Sequence, residues 1–217
     1  MRLTTIAPIL LLVACAHEQR QALSFPVIAL GMVENPFVGE DQVEVQLDEA
    51  WIVLGDLRLE APASTAAKHP GHDFSGATSC ELLGSWELNL LADPQALGDV
   101  ACLDGELATG RLVLTGDPVV GLVGTATLPD STQRAFRFEL VLDDEITGVP
   151  VEAILDAEAP PAQLVLEISP ATVLAWVDWD SLDSDRDDVL TMYDDLLGNT
   201  VPFGVVSTAS YTITITE

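Results

Sequence analysis

Residues 133–142 read Gln-Arg-Ala-Phe-Arg-Phe-Glu-Leu-Val-Leu. From the middle of this stretch, every second position carries a large apolar side chain: Phe136, Phe138, Leu140 and Leu142. Side chains of a β-strand point alternately to its two faces, so this period of two predicts a half-buried strand. We expect the even-numbered side chains to face the core and Arg137 and Glu139 to face solvent.

Similar runs recur along the chain and are separated by turns rich in Gly, Pro and Asp. They occupy residues 42–48, 51–59, 84–91, 110–116, 119–128, 164–168 and 211–215. Several short strands at this spacing are typical of an all-β sandwich or barrel. Residues 61–80 are rich in Pro, Gly, Ser, Thr and His, and we predict a loop there.

One stretch has helical spacing instead. Ser169 is a good N-cap, Pro170 suits the first helical position, and Val173, Leu174 and Val177 follow at helical intervals. We predict a helix from Pro170 to between Trp179 and Leu182. The predicted fold class is therefore mostly β: an antiparallel β-sandwich or barrel-like domain with one or two short helices near the C-terminus.

The chain is strongly acidic. Its 217 residues carry 35 Asp and Glu against 8 Lys and Arg, which gives a formal net charge of −27. Such a surface repels nucleic acid and attracts cations, divalent ones especially. We therefore expect no nucleic-acid partner.

The N-terminus has the layout of a secretory signal. Arg2 precedes an apolar run at 6–14, which is too short to span a bilayer and stops at Cys15. The sequence Leu12-Val13-Ala14-Cys15 resembles the bacterial lipobox. This resemblance implies that residues 1–14 are a removed signal peptide and that Cys15 carries the lipid.

The lipobox also sets the expected domain organisation and location. We predict a tether at residues 15–24 and a single β domain at 25–217. The membrane is the expected partner, through the N-terminal lipid. Ala16 is not the aspartate that often signals inner-membrane retention, so we expect the outer membrane.

Two cysteines remain once Cys15 is lipidated. Cys80 and Cys102 lie in an oxidising compartment if the signal is used, and leftover cysteines there usually pair. A thiolate metal site is the alternative, but the two are far apart and lack a C-x-x-C spacing. We predict a disulfide.

An acidic stretch follows the predicted helix. Residues 183–194 resemble the twelve-position calcium loop of EF-hand and dockerin proteins, and the matching ligand positions are Asp183, Asp185, Asp187, Val189 (through its carbonyl) and Asp194. Calcium takes six to eight oxygen ligands, which a chain turning around the ion can supply from alternate positions. Asp188 stands where the glycine of such loops is expected. The alternatives are a structural Ca²⁺ site and a solvated acidic turn.

A second candidate metal site lies in the predicted loop. His69-Pro70-Gly71-His72-Asp73 places two imidazoles on either side of a Pro-Gly turn. Imidazole suits Cu²⁺ and Zn²⁺, with Asp73 as a further ligand. The alternative is an exposed loop that binds no ligand.

Together, several segments resemble a group of uncharacterised myxobacterial-type lipoproteins. The segments are 53–59, 69–72, 81–84 and 173–179, followed by the acidic stretch and a final strand. The resemblance implies no activity. Some histidine-containing periplasmic relatives are thought to bind copper, which adds to the hypothesis for His69 and His72.

The sequence carries no nucleophile elbow, HExxH, P-loop or dinucleotide motif. Adjacent carboxylates are common in so acidic a chain, so a pair of them does not by itself indicate a general acid or base. We therefore expect a non-enzymatic, membrane-anchored binding or structural module, stabilised by calcium. The alternative is a periplasmic copper- or zinc-handling protein that uses His69 and His72.

Overall fold

The computed structural model describes residues 20–32, 34–39, 42–62, 78–175, 177–179, 189–191 and 197–217. Within them the chain is mostly β, with two short helices near the C-terminus, which confirms the predicted fold class. The strands are β1 (Ala22–Gly31), β2 (Phe37–Val38), β3 (Glu44–Glu60), β4 (Thr78–Leu82), β5 (Trp86–Asn89), β6 (Gln95–Leu103), β7 (Gly105–Leu114), β8 (Val120–Thr127), β9 (Gln133–Leu140), β10 (Asp144–Leu155), β11 (Gln163–Ile168), β12 (Val189–Thr191) and β13 (Tyr211–Thr216). The helices are α1 (Pro170–Leu174) and α2 (Leu197–Val206), and a 3-10 turn spans Thr208–Ser210.

The long strand β3 joins the two parts of the sheet. Its first part, Glu44 to Ile52, pairs with β8, and its last residues, from Leu57, pair with β7 on one side and β4 on the other. The register of these ladders shifts between Leu47 and Glu49 and again between Leu54 and Leu57. Such bulges bend a strand and increase its twist, so β3 can serve both parts of a curled sheet.

Eight strands form a nearly closed circuit, which we call the barrel. Its hydrogen-bonded order is β10-β7-β3-β4-β6-β1-β11-β13. The two end strands, β10 and β13, lie next to each other but share no hydrogen-bonded register among the described residues. We call this junction the seam.

The remaining strands form a wing on the first part of β3. Here β8, β9 and β12 follow in order, and β9 is the strand predicted from residues 133–142. Its inward side chains are buried as the alternation predicts, with Phe136 and Phe138 each 1% exposed. Their rings stack with centroids 4.9 Å apart.

Two strand pairs are parallel, β1 with β11 and β12 with β9. The other ladders are antiparallel, as predicted. A parallel pair needs a long crossover connection, and both pairs join strands that are distant in the chain. Period-two patterning does not distinguish the two orientations.

The first strand, β1, begins at Ala22, within the predicted tether 15–24. Ala22 pairs with Leu103 and Leu23 with Cys102 of β6. The Ser24 hydroxyl donates a hydrogen bond of 2.9 Å to the Val100 carbonyl. These bonds hold residues 22–24 in the sheet.

The predicted helix begins correctly but is shorter than expected. The Ser169 side chain accepts from the backbone amide of Thr172, as an N-cap should, and α1 ends at Leu174. Val177 and Trp179 are buried, at 3% and 4% exposure. The chain after the helix thus still packs into the core.

Candidate functional site

The disulfide predicted from the leftover cysteines is present. Cys80 on β4 and Cys102 on β6 are register partners and are joined through their sulfurs. Both are buried, at 1% and 4% exposure. The bond crosses directly between two neighbouring strands of the barrel.

The histidine segment lies outside the described residues, and so do its candidate ligands His69, His72 and Asp73. Its flanking strands are described. Glu60 at the end of β3 and Thr78 at the start of β4 are register partners. The segment therefore connects neighbouring strands, and the disulfide fixes β4 two residues beyond Thr78. The predicted loop extended too far, since β4 already starts at Thr78.

Most of the acidic segment also lies outside the described residues. This holds for Asp183, Asp185, Asp187 and Asp194, and for Cys15 at the N-terminus. Val189, the candidate carbonyl ligand, is described: it opens β12 and pairs with Ala135 of β9.

The described residues on either side of residues 180–188 contact the same strand. Before them, the Trp179 ring lies 5.2 Å from that of Phe136 and 6.2 Å from that of Phe138. After them, Leu190 is fully buried and is the register partner of Phe136. Trp179 and Leu190 thus both lie at Phe136 of β9.

Within the described ranges, no group of three or more His, Cys, Asp or Glu side chains is placed to hold a metal ion. No helix in those same ranges is both long enough and apolar enough to cross a membrane.

A large cleft opens at one end of the seam, with a volume of about 1100 Å³. The last residues of β10 and β13 line it, together with β7 and the turn after β10. Four exposed carboxylate side chains border it: Glu106, Glu152, Asp156 and Glu217. The described residues that line this seam cleft include no Lys, Arg or His.

The seam cleft also has an apolar component. Leu107 is buried beneath it, at 2% exposure, and Ile215 is half-buried at its side. Ile154 is 79% exposed, the highest value among the exposed large apolar side chains of the described residues. Ile154 is the register partner of Glu106, and Glu152 lies two residues before it on the same face of β10.

Local features of β10 and β7 explain why a cleft forms here. The β10 ladder loses register between Pro150 and Ala153, which is a bulge. Just above it, the Ile213 side chain of β13 reaches over Gly110, where a Cβ would overlap it. Val151 of β10 borders the same point, 3.6 Å from the position of that Cβ. The seam is packed there by side chains, and the cleft lies beyond it.

A second cleft of about 350 Å³ lies on the wing side of β3. It is lined by the half-buried Trp51 and three exposed carboxylates, those of Asp48, Glu49 and Glu87. The side chain of Gln95 and the backbone of Asn89, which both line it, are already hydrogen-bonded to each other. The Gln95 side chain donates to the backbone carbonyl of Asn89 at 2.9 Å and accepts from its backbone amide at 3.2 Å. This smaller cleft offers fewer free polar groups than the seam cleft.

Comparisons with known proteins leave the function open. No protein-family model matches the chain, and no curated protein matches it. Among solved structures, the chain is similar to MbnP from Methylosinus trichosporium, with 10% identity and a TM-score of 0.42 over 92% of this chain and 100% of the other.

Sequence reasoning missed both clefts. Residues of the seam cleft come from five separate parts of the chain, between Pro62 and Glu217. No local motif joins them, and only the closure of the barrel brings them together. One local signal was present: Ile154 lies between acidic residues on a strand whose outward face is otherwise polar.

Proposed function

We propose that the protein is a lipid-anchored extracytoplasmic lipoprotein whose β domain is a non-enzymatic binding or structural module, stabilised by calcium. The buried Cys80–Cys102 disulfide is the observation that carries the location. Disulfides persist in oxidising compartments and are rare where thioredoxin and glutathione keep thiols reduced. The bond thus supports the same compartment as the secretory signal.

The proposed anchor is Cys15, and the described structure limits how far the domain can stand from it. Six residues separate Cys15 from Ala22, where β1 begins. A fully extended chain spans at most about 3.5 Å per residue, so this tether reaches roughly 25 Å. The domain is thereby held next to the bilayer surface. Its net charge of −27 keeps it from lying flat on anionic headgroups.

Calcium is proposed for the segment 183–194. Support comes from the spacing of its Asp residues and from two contacts at Phe136 of β9, made by Trp179 before the segment and by Leu190 within it. A bound Ca²⁺ would reduce repulsion among neighbouring carboxylates and pin the chain after α1 to β12, which lies within the segment. Its role is structural. The proposal includes no reaction, since the sequence has none of the common catalytic motifs.

Membrane attachment is tested by fractionation in a Gram-negative host. The wild-type chain is expected in the outer-membrane fraction with incorporated palmitate label, and Cys15→Ser is expected to lose the label. Cys80→Ser serves as the control, because it also replaces a cysteine by serine but leaves the lipobox intact. Equal labelling of wild type and Cys15→Ser, or label in neither, would contradict the lipoprotein assignment.

Calcium is tested by thermal unfolding of the mature protein in EDTA and in excess Ca²⁺. At 100 times the Kd, binding stabilises by about 2.7 kcal/mol. For a domain of this size that corresponds to a rise of about 5–10 °C in Tm. The rise should vanish in Asp183→Asn/Asp185→Asn and persist in Asp93→Asn/Asp99→Asn, which loses the same charge elsewhere.

The same thermal-unfolding measurement also tests the copper and zinc alternative. If Ca²⁺ leaves Tm unchanged while Zn²⁺ or Cu²⁺ raises it, and the rise is lost in His69→Ala/His72→Ala, the histidine segment is the metal site. A flat response to all three ions would remove both metal assignments.

A further inference from the structure

We propose that the seam cleft is a docking site for an extended, basic peptide segment of a partner protein, which lies along the outer edge of β10. This inference rests on the proposed role as a binding module and names the chemistry of its partner. It requires neither calcium nor the lipid.

At the seam, β10 has an open edge. Every neighbouring pair in the barrel, from β10 round to β13, is hydrogen-bonded except the pair that would close it. Within the described residues, β10 therefore has a ladder on its β7 side only. Edge strands present unsatisfied amide and carbonyl groups that can pair with an added strand. Side-chain packing of Ile213 over Gly110 occupies the seam near Val151, so the free stretch is the end of β10.

The free stretch at the end of β10 has the size of a short peptide strand. Glu152, Ala153 and Ile154 of β10 line the seam cleft, and the four residues 152–155 at the end of this strand span roughly 13 Å. A volume of about 1100 Å³ is at the upper end of ordinary ligand pockets. It is large enough for a short strand with its side chains. Pro150 and the bulge that follows limit strand addition to this end of β10.

The exposed face of the seam cleft combines acidic and apolar side chains. The exposed face carries Ile154 with Glu152 two residues before it and Glu106 opposite it. Asp156 and Glu217 extend the acidic border. A segment in which apolar residues alternate with Lys or Arg complements this surface, because its apolar side chains cover Ile154 while its cations face the carboxylates.

Charge also argues against other occupants. A second copy of the chain carries the same net charge of −27 and the same acidic border, so self-association at the seam brings like charges together. A metal ion does not fit, since the described carboxylates around the cleft do not converge as a metal-binding group. A basic peptide meets both the charge and the open backbone edge.

The test uses the full mature protein and a fluorescent ten-residue peptide in which lysine and valine alternate. We expect binding that weakens at least tenfold in Glu106→Lys/Glu152→Lys. The matched control is Glu44→Lys/Glu87→Lys, which makes the same charge change on exposed wing residues. Ile154→Ser should also weaken binding, and this residue is too exposed for the change to threaten folding.

Two further probes separate strand addition from simple charge attraction. The same peptide with alternate backbone amides methylated keeps its charge but cannot pair as a strand, and it should bind at least tenfold more weakly. Equal binding of both peptides, or equal loss in the seam and wing variants, would overturn the proposal. Sedimentation that shows a dimer lost in Ile154→Ser would instead assign the edge to a second copy.

The results that would overturn the proposed function differ from those that would overturn the seam proposal. Seam variants should retain palmitate labelling and the Ca²⁺-dependent rise in Tm. Loss of peptide binding with both retained overturns only the seam proposal. Peptide binding without palmitate labelling and without a Ca²⁺-dependent rise in Tm overturns only the proposed lipid anchor and the proposed calcium site.

Discussion

Trp179 packs on Phe136, with ring centroids 5.2 Å apart and planes inclined by 50°. The contact joins the chain after α1 to the middle of β9. It lies shortly before the acidic segment 183–194, and Leu190, within that segment, pairs opposite the same Phe136. One buried aromatic cluster therefore holds the chain at a point before Asp183 and at a point after Asp187.

Trp179→Ala tests whether this cluster supports the loop. Removing a buried tryptophan typically costs about 3–5 kcal/mol, so the free energy of unfolding measured in urea should fall by that amount. The Ca²⁺-dependent rise in Tm should also shrink, since one end of the segment loses its anchor.

Trp86→Ala is the matched control for this change. Trp86 lies on β5, is partly buried, and packs on the core away from β9. It should destabilise the domain while leaving the calcium response intact. An equal calcium response in both variants would show that the β9 anchor has no part in binding.

The disulfide makes a separate prediction. Cys80 and Cys102 enclose 22 residues of sequence separation, and closing a loop of that length is worth roughly 3 kcal/mol in the chain-entropy model. Cys80→Ala/Cys102→Ala should lower the free energy of unfolding by about that amount. Dithiothreitol should destabilise the wild type similarly and leave the double variant unchanged. An effect of the reductant on the double variant would point to another cause.

Local patterning predicted the strands that bury one face, and predicted less where that signal is weak. β9 and β13 alternate cleanly and were found from sequence. β6 and β10 were missed because Gly98, Gly148 and Pro150 interrupt their alternation. α2 was missed because it contains Pro202 and Gly204, which normally disfavour a helix interior.

The candidate sites divide in the same way. The disulfide followed from composition and compartment alone. The seam cleft did not, because it depends on where the barrel fails to close, which is a long-range property of the strand order. Open edges leave no periodic signature in the residues that form them.

Gly204 supplies a prediction that runs against helix propensity. Gly→Ala inside a helix usually stabilises by about 1 kcal/mol. Here a Cβ would overlap the backbone carbonyl of Val173 in α1. Gly204→Ala should therefore destabilise by about 1–3 kcal/mol, as overpacking does, when measured by urea unfolding.

Gly148→Ala provides the comparison for this position. Gly148 has a φ of +82°, and no atom lies within 4 Å of the point that a Cβ would occupy, so only backbone strain opposes the change. The expected cost is about 1–2 kcal/mol, from the left-handed conformation. A gain in stability for Gly204→Ala would mean that α1 and α2 can move apart at little cost.

Tyr211 provides a prediction for alkaline pH. Burial raises the pKa of its phenol far above the ordinary value near 10, and its hydroxyl donates a hydrogen bond of 2.7 Å to the Val205 carbonyl. The folded state therefore keeps the proton at pH values where the unfolded chain releases it. The stability that this difference contributes is fully present below pH 10 and is lost as the pH rises further.

Tyr211→Phe separates the two effects. At pH 7 the variant should be less stable by about 1–3 kcal/mol, because the buried Val205 carbonyl loses its donor. Above pH 10 the wild type should lose about 1.4 kcal/mol per pH unit through this group, and the variant should not. The stability difference between them should therefore narrow between pH 10 and 11 in urea unfolding curves. Tyr193 is present in both proteins, so its titration cancels. A difference that stays constant with pH would show that Tyr211 ionises in the folded protein.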